Sequence, residues 1–233
     1  MKTEKINVKV TMIDHFKINE IMDTASQFIE KGKKHENLLA NFLNVYKKIN
    51  FKRETRKGAL HEQPVTMTGK SKDFAMLSQI IKEMDNGYPS FVPNSISDLC
   101  DGEKKWCKEI KNWNSEAIQQ IVIDGSAEYY RTIPTDIKEK IKLIEECRLG
   151  CVGLLEIYPK LKVSLSKPDQ YNSGNATIEG SSADIQKFSN LSEFYQHRHG
   201  LLLIGDVAKI LDIAKDINKI KEDERFNKLY GRG

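Results

Sequence analysis

The sequence has no apolar run that could cross a membrane. Its longest strongly apolar stretch covers residues 201–204, whereas a spanning helix needs roughly 18 or more apolar residues. The first five residues are mostly charged or polar and lack the apolar core of a secretory signal. We therefore expect a cytoplasmic protein with no transmembrane segment and no export signal.

Cysteine is scarce, with four residues in a chain of 233: Cys100, Cys107, Cys147 and Cys151. Four cysteines are too few for a disulfide-built scaffold of this size, and the missing signal indicates a reducing compartment. Only Cys147 and Cys151 have the close spacing of structural zinc ligands. Because both also lie on an apolar helical stripe that needs small residues, we interpret them as packed thiols. We expect no metal and no other cofactor.

The sequence also lacks a complete catalytic signature. Residues 68–71, Thr-Gly-Lys-Ser, match the last part of the phosphate-binding loop motif. However, Pro64 occupies the position where that motif requires its first glycine. Carboxylates between positions 98 and 109, among them Glu103 and Glu109, are of the type that holds magnesium in nucleases. They fall in a helical pattern, so we interpret them as a solvated helix face.

The most site-like short segment is His197-Arg198-His199. Two histidines could act as acid and base in RNA cleavage while the arginine holds the phosphodiester charge. Histidines two positions apart point in different directions on a helix, so they could share this task only if the backbone turns, for example at Gly200. Cationic residues are also favourable at a helix C-terminus, because they interact with the negative end of the helix dipole. Capping or polyanion contact is therefore favoured, and catalysis is kept as an alternative.

Apolar spacing predicts a mainly α protein with a minor β component. Residues 5–13 alternate apolar and polar side chains, as a half-buried strand does. Residues 114–131 are compatible with either a helix or a short buried strand. Helical spacing recurs over residues 16–30, 36–49, 74–84, 95–113, 132–158, 185–195 and 203–217. We expect an irregular helical bundle with an N-terminal strand and, as one alternative, a short central strand.

Glycine and proline divide this helical pattern. Gly32 suits the end of the first helix, so residues 16–30 and 36–49 are predicted to form a helical hairpin. Residues 159–182 are rich in Pro, Ser, Asn and Gly, which predicts the longest loop. The expected organisation is an N-terminal helical domain over residues 1–160, a loop or boundary over 161–182, and a C-terminal helical subdomain with a charged tail over 183–233.

Positive charge is concentrated in one segment. Residues 31–72 contain eleven Lys or Arg against three Glu, a net charge of +8, although the whole chain carries only +4. Part of this charge falls in residues 50–70, which lose the helical period and are expected to form an exposed loop or hairpin. Tyr46 and Phe51 lie among these cations, and such rings can stack on bases. The residues predicted to contact nucleic acid are Lys33, Lys34, Tyr46, Lys47, Lys48, Phe51, Lys52, Arg53, Arg56, Lys57, Lys70 and Lys72.

Charge asymmetry without a catalytic signature favours a non-enzymatic protein that binds RNA or DNA. A subunit of a viral or mobile-element nucleoprotein assembly, forming homo-oligomers through its C-terminal helices, fits this hypothesis. An RNA-cleaving nuclease or toxin-like enzyme that uses His197, Arg198 and His199 is the first alternative. A scaffold or matrix subunit that binds protein, or makes peripheral contact with an anionic membrane surface, is the second, because the same basic segment would serve it.

Overall fold

The fold is described from a computed structural model that covers residues 3–11, 18–53, 65–85, 99, 103, 107–110, 115–123, 127–166, 173–191 and 205–231. Five helices of these residues are α1 (Ile18–Tyr46), α2 (Ser71–Asp85), α3 (Ala127–Ile157), α4 (Ser182–Asn190) and α5 (Gly205–Tyr230). Six strands are β1 (Thr3–Thr11), β2 (Asn50–Arg53), β3 (Val65–Lys70), β4 (Ile118–Ile123), β5 (Lys162–Leu165) and β6 (Ser173–Ser181). No helix of the described residues is long and apolar enough to cross a bilayer.

The predicted mainly α protein with a minor β component is confirmed. The strands form two three-stranded antiparallel sheets, with the orders β1-β6-β5 and β2-β3-β4. The chain divides into two compact units: unit 1 comprises Met1–Gly32 and Glu145–Gly233, and unit 2 comprises Lys33–Ile144. Each unit contains one sheet, so the β component is larger than the one or two strands that the apolar pattern predicts.

In unit 1, β6 is the central strand. It pairs with β1 from Thr3↔Ser181 to Thr11↔Ser173 and with β5 along its other side. The start of α4 is capped by Ser181, whose hydroxyl accepts a hydrogen bond from the Asp184 N–H. Helix α5 packs against α4 and β1. The buried residues of this unit include Val8, Ala176, Ile178, Ile185, Phe188, Ile210, Leu211, Ala214 and Ile217.

In unit 2, β3 is the central strand and runs directly into α2. The helix buries an apolar stripe at the spacing of three and four residues that its sequence predicts. The 114–131 ambiguity is resolved as a strand, β4, which buries Ile121 and exposes Ile118 and Val122. The buried residues of this unit include Leu39, Phe42, Val65, Met67, Phe74, Leu77, Met84, Ile121, Ile133 and Ile137.

The predicted helical hairpin around Gly32 is wrong, because one continuous helix, α1, covers residues 18–46. A glycine inside a helix costs about 1 kcal/mol relative to alanine. Phe28, Gly32, His35 and Leu39 are all buried and follow one another at intervals of three or four residues. Burial of this continuous stripe offsets the low helix propensity of glycine.

The predicted loop over residues 161–182 is also wrong, because both β5 and β6 lie there. Asn and Gly have low strand propensity, but a central strand gains backbone hydrogen bonds on both sides. Within β6, Ala176 and Ile178 are fully buried at the alternate positions that face the core. The predicted boundary therefore lies inside unit 1, whose sheet pairs the N-terminal strand β1 with β6.

Candidate nucleic-acid interface

One face of the unit 2 sheet is packed and the other is open to solvent. On β3, Val65 and Met67 are completely buried, whereas Thr66, Thr68 and Lys70 alternate with them and are half-buried or exposed. Side chains of neighbouring strands that lie directly opposite each other share a face. The register therefore defines the open face as Asn50, Lys52, Thr66, Thr68, Lys70, Ile118, Gln120 and Val122.

A pocket of about 450 Å³ lies at the edge of this open face, where β3 passes into α2. Three of the predicted nucleic-acid contacts, Lys48, Lys70 and Lys72, line it. Its other lining residues are Thr68, Gly69, Asp73 and Ile118. We call it the lysine pocket. It brings Lys48 together with residues more than twenty positions further along the chain, which spacing alone does not predict.

Local packing explains how the lysine pocket is built. A Cβ on Gly69 would lie 3.3 Å from the Ile49 Cγ1 atom and 3.4 Å from the Phe74 ring, so a side chain at this position would press on both neighbours. The next residue but one, Ser71, is buried, and its N–H donates to the Ala117 carbonyl at 3.0 Å. This bond ties the start of α2 to the segment that leads into β4.

Two carboxylates form ion pairs with the three lysines of the lysine pocket. Glu116 accepts hydrogen bonds from the ammonium groups of Lys70, at 2.6 Å, and of Lys72. These bonds lower the pKa of Glu116 to about 2 and raise the pKa of Lys70. Lys48 pairs with the buried Asp73 at 3.6 Å. Since Glu116 is 62% exposed, and exposed ion pairs are weak, an incoming anion could replace its carboxylate between the two lysines.

The structure corrects the expectation that Tyr46 stacks on bases. Tyr46 is buried, and its hydroxyl donates a hydrogen bond to the Tyr130 carbonyl at 2.7 Å. Within α3 that carbonyl would normally accept from the residue four positions later, which is Pro134 and has no N–H. Tyr46 therefore donates to a carbonyl whose usual intrahelical donor is replaced by a proline. Burial also raises its pKa.

Phe51 is likewise engaged within unit 2. Its ring stacks on Tyr46 with centroids 4.5 Å apart and on Tyr130 with centroids 5.4 Å apart. Phe42 continues the stack on the far side of Tyr46, at 5.5 Å. Because both neighbours already cover it, Phe51 is not placed to receive a base. Tyr46 is a core residue and Phe51 is half-buried in a stack with Tyr46 and Tyr130. The cationic part of the predicted interface remains a prediction.

The remaining predicted contacts are distributed as follows. Lys33 is paired with Glu36 at 2.9 Å, while Lys34, Lys47 and Lys52 are exposed. Arg53 is the last residue of β2. The residues Arg56, Lys57, His197, Arg198 and His199 lie outside the described part of the chain. Over its whole sequence, unit 2 holds 19 Lys and Arg against 15 Asp and Glu, whereas unit 1 holds 18 of each. The net positive charge therefore belongs to unit 2.

A second cluster in unit 2 corrects the interpretation of Glu103 as part of a solvated face. Glu103 is 4% exposed and accepts hydrogen bonds from Ser78 and from the Cys107 thiol. Lys82 lies 3.3 Å from the same carboxylate. Burial would raise the pKa of Glu103, but the bonds from Cys107, Ser78 and Lys82 outweigh it and lower that pKa. A pocket of about 330 Å³ borders Ser78, Lys82 and Cys107.

This second cluster does not have the chemistry of an activated cysteine. Burial, and then Glu103, raise the pKa of Cys107 to about 11, so the thiol keeps its proton at neutral pH. Cys147 and Cys151 are buried free thiols, and burial raises the pKa of Cys151 to about 12. Within the described residues, no group of three His, Cys, Asp or Glu is placed to hold a metal ion.

The chain matches no protein-family model, no curated protein and no solved structure. The lysine pocket and the open face are therefore interpreted from their own chemistry.

Proposed function

We propose that the protein is a non-enzymatic nucleic-acid-binding protein that contacts phosphate groups of RNA or DNA through the lysine pocket and the open face. The observation that carries this proposal is the convergence of Lys48, Lys70 and Lys72 on one pocket beside an exposed sheet face. The concentration of net positive charge in unit 2 supports it. Such a protein fits a subunit of a nucleoprotein assembly.

In the proposed complex, a phosphate enters the lysine pocket and displaces the exposed Glu116 carboxylate from Lys70 and Lys72. Each lysine that neutralises a phosphate releases condensed counterions, so the affinity falls as the salt concentration rises. The start of α2 contributes further, because a helix N-terminus favours anions. Binding is thus dominated by charge and directed at the nucleic-acid backbone.

The open face adds hydrogen-bonding groups rather than stacking rings. Thr66, Thr68 and Gln120 project from it at alternating positions of β3 and β4. Hydroxyls and amides of this kind contact phosphate and sugar groups, which position a protein without reading sequence. The open face as defined by the strand register contains no aromatic residue. We therefore expect low sequence specificity.

The test is the salt dependence of binding to a labelled RNA, a single-stranded DNA and a DNA duplex. The double variant Lys70→Gln/Lys72→Gln is compared with Lys215→Gln/Lys219→Gln, which removes the same charge from exposed positions of α5. For the duplex, we expect the first variant alone to reduce the slope of log affinity against log salt by about two. An affinity that is independent of salt, or equal losses in the two variants, would contradict the proposal.

A further inference from the structure

Strand β4 is one of the two edges of the unit 2 sheet in the described part of the chain, and it carries no charge. Its six residues read Ile-Gln-Gln-Ile-Val-Ile. The other edge strands of the described sheets, β1, β2 and β5, each contain at least one lysine. Proteins block pairing at sheet edges with charges, prolines, glycine-containing bulges or very short strands. The sequence of β4 contains no charged residue, no proline and no glycine, which singles it out among the four edges.

The side chains of β4 are exposed as well as uncharged. Ile118 and Val122 lie on the open face and are 63% and 51% exposed. Gln120, between them on the same face, is also exposed. Among the described residues, β4 is hydrogen-bonded to β3 alone. An uncharged strand with exposed Ile and Val at a sheet edge is a favourable template for a further strand.

We propose that β4 is a self-association surface, where it pairs antiparallel with β4 of a second copy about a two-fold axis at Gln120. In this register Ile118 of one copy lies opposite Val122 of the other, on the open face, and the two Gln120 residues lie opposite each other. Apolar cross-strand pairs and amide pairs of this kind stabilise antiparallel sheets. A two-fold axis makes the interface self-complementary and closed, so the product is a dimer.

Charge supports a second copy of β4 as the occupant. Two β4 strands bring no like charges together, because neither has any. The equivalent self-pairing of β1 about Asn7 would place Lys5 opposite Lys9 on both sides of the axis, and like charges directly opposite each other are unfavourable. One pair of six-residue strands is smaller than the roughly 1,200 to 2,000 Å² of a standard stable interface. We therefore expect dimers that form with increasing concentration.

Pairing in this register would produce a six-stranded sheet. Because open-face residues lie opposite open-face residues, the two open faces would lie on the same side, with one lysine pocket contributed by each copy. The inference does not depend on the proposed function, since its measurements use protein without nucleic acid.

Disulfide trapping tests the register. Directly opposed residues of antiparallel strands have Cα atoms about 4.5–5.5 Å apart, within the range of about 4.4–6.8 Å that a disulfide spans. Under mild oxidation we expect Gln120→Cys to form a covalent dimer faster than Phe226→Cys, at a position of α5 that is also exposed, and faster than the unaltered chain. Equal or slower trapping at position 120 would overturn the proposal.

Sedimentation velocity across a concentration series provides the second measurement. Gln120→Lys places two like charges on the axis, so we expect this variant to remain monomeric at concentrations where the unaltered chain dimerises. Phe226→Lys adds the same charge on α5 and should still dimerise. If Phe226→Lys alone lost the dimer, the interface would lie on α5 and the proposal would be overturned. The proposal would also be overturned if the unaltered chain stayed monomeric at every concentration. Circular dichroism of each variant confirms that it is folded.

Discussion

Replacing Tyr46 with phenylalanine removes one hydroxyl group and is expected to destabilise the protein. The hydroxyl donates to the Tyr130 carbonyl at 2.7 Å in the core of unit 2. Phenylalanine keeps the stacked ring, so the loss is confined to this hydrogen bond. A buried carbonyl left without a donor costs about 1–3 kcal/mol. Pro134 removes the usual intrahelical donor to this carbonyl, so we expect a loss of stability within this range.

A double-mutant cycle isolates the role of the proline. Pro134→Ala restores an N–H that can donate to the Tyr130 carbonyl, so Tyr46→Phe should cost less in that background, by roughly 1 kcal/mol. Urea denaturation followed by circular dichroism measures the four free energies of unfolding. An equal cost of Tyr46→Phe in both backgrounds, or no cost at all, would refute the reasoning. A fall in nucleic-acid affinity with unchanged stability would instead restore Tyr46 as a ligand contact.

Three further variants test the packing. Gly180→Ala should destabilise unit 1 by about 1–3 kcal/mol, measured by urea denaturation, since the added Cβ would lie 2.6 Å from a methyl carbon of the buried Leu161. Ser181→Ala should cost about 0.5–2 kcal/mol in the same assay, through loss of the cap on α4. Glu103→Gln should be less stable than the unaltered chain at neutral pH, with the difference shrinking below the ordinary pKa of 4.5, because folding lowers the pKa of Glu103. Stability from such a group is present above its unfolded pKa and is lost as the pH falls through the folded value.

Each of these variants has a matched control. The penalty of the alanine at position 180 should shrink when Leu161 is also replaced by alanine, and an unchanged penalty would argue against the close contact. Ser182→Ala, one residue further along at an exposed position, removes a surface hydrogen bond to Glu4 but no helix cap, and should cost less than Ser181→Ala. Glu109→Gln, also exposed, should leave the acid unfolding curve unchanged. A curve shifted equally by both glutamate variants would contradict the role given to Glu103.

Several elements could be predicted from the sequence because their signal is local. The alternation of residues 5–13 predicted β1, and helical spacing over residues 74–84 predicted α2 within a few positions. The strand β3 also carries alternation, Val-Thr-Met-Thr, which distinguishes its packed face from its open face. This signal could have identified Thr66 and Thr68 as members of the exposed surface. Their position beside Lys70 follows from the same period of two.

Other features depend on contacts between residues distant in the sequence. The serine- and glycine-rich β6 has the composition of a loop and becomes a strand because β1 and β5 supply hydrogen bonds on both of its sides. Tyr46 lies next to lysines in the sequence, but its hydroxyl donates to the Tyr130 carbonyl in the core. The usual intrahelical donor to that carbonyl would come from position 134, 88 residues after Tyr46, which is a proline. Glu103 fits a solvated helical pattern, yet it is buried, and Ser78, Lys82 and Cys107 offset the cost of burying its charge.

The sequence by itself determined the mainly helical class and the location of the excess positive charge, because helical periodicity and net charge are properties of short segments. The tertiary structure alone decided which of those charges converge. Lys48 lines one pocket with Lys70 and Lys72 because β3 pairs beside β2 in one register and passes into α2 directly after Lys70. The same packing buries Tyr46 and stacks the half-buried Phe51 on it, since contact between the two rings and the hydrogen bond of Tyr46 are more favourable than exposure beside the lysines.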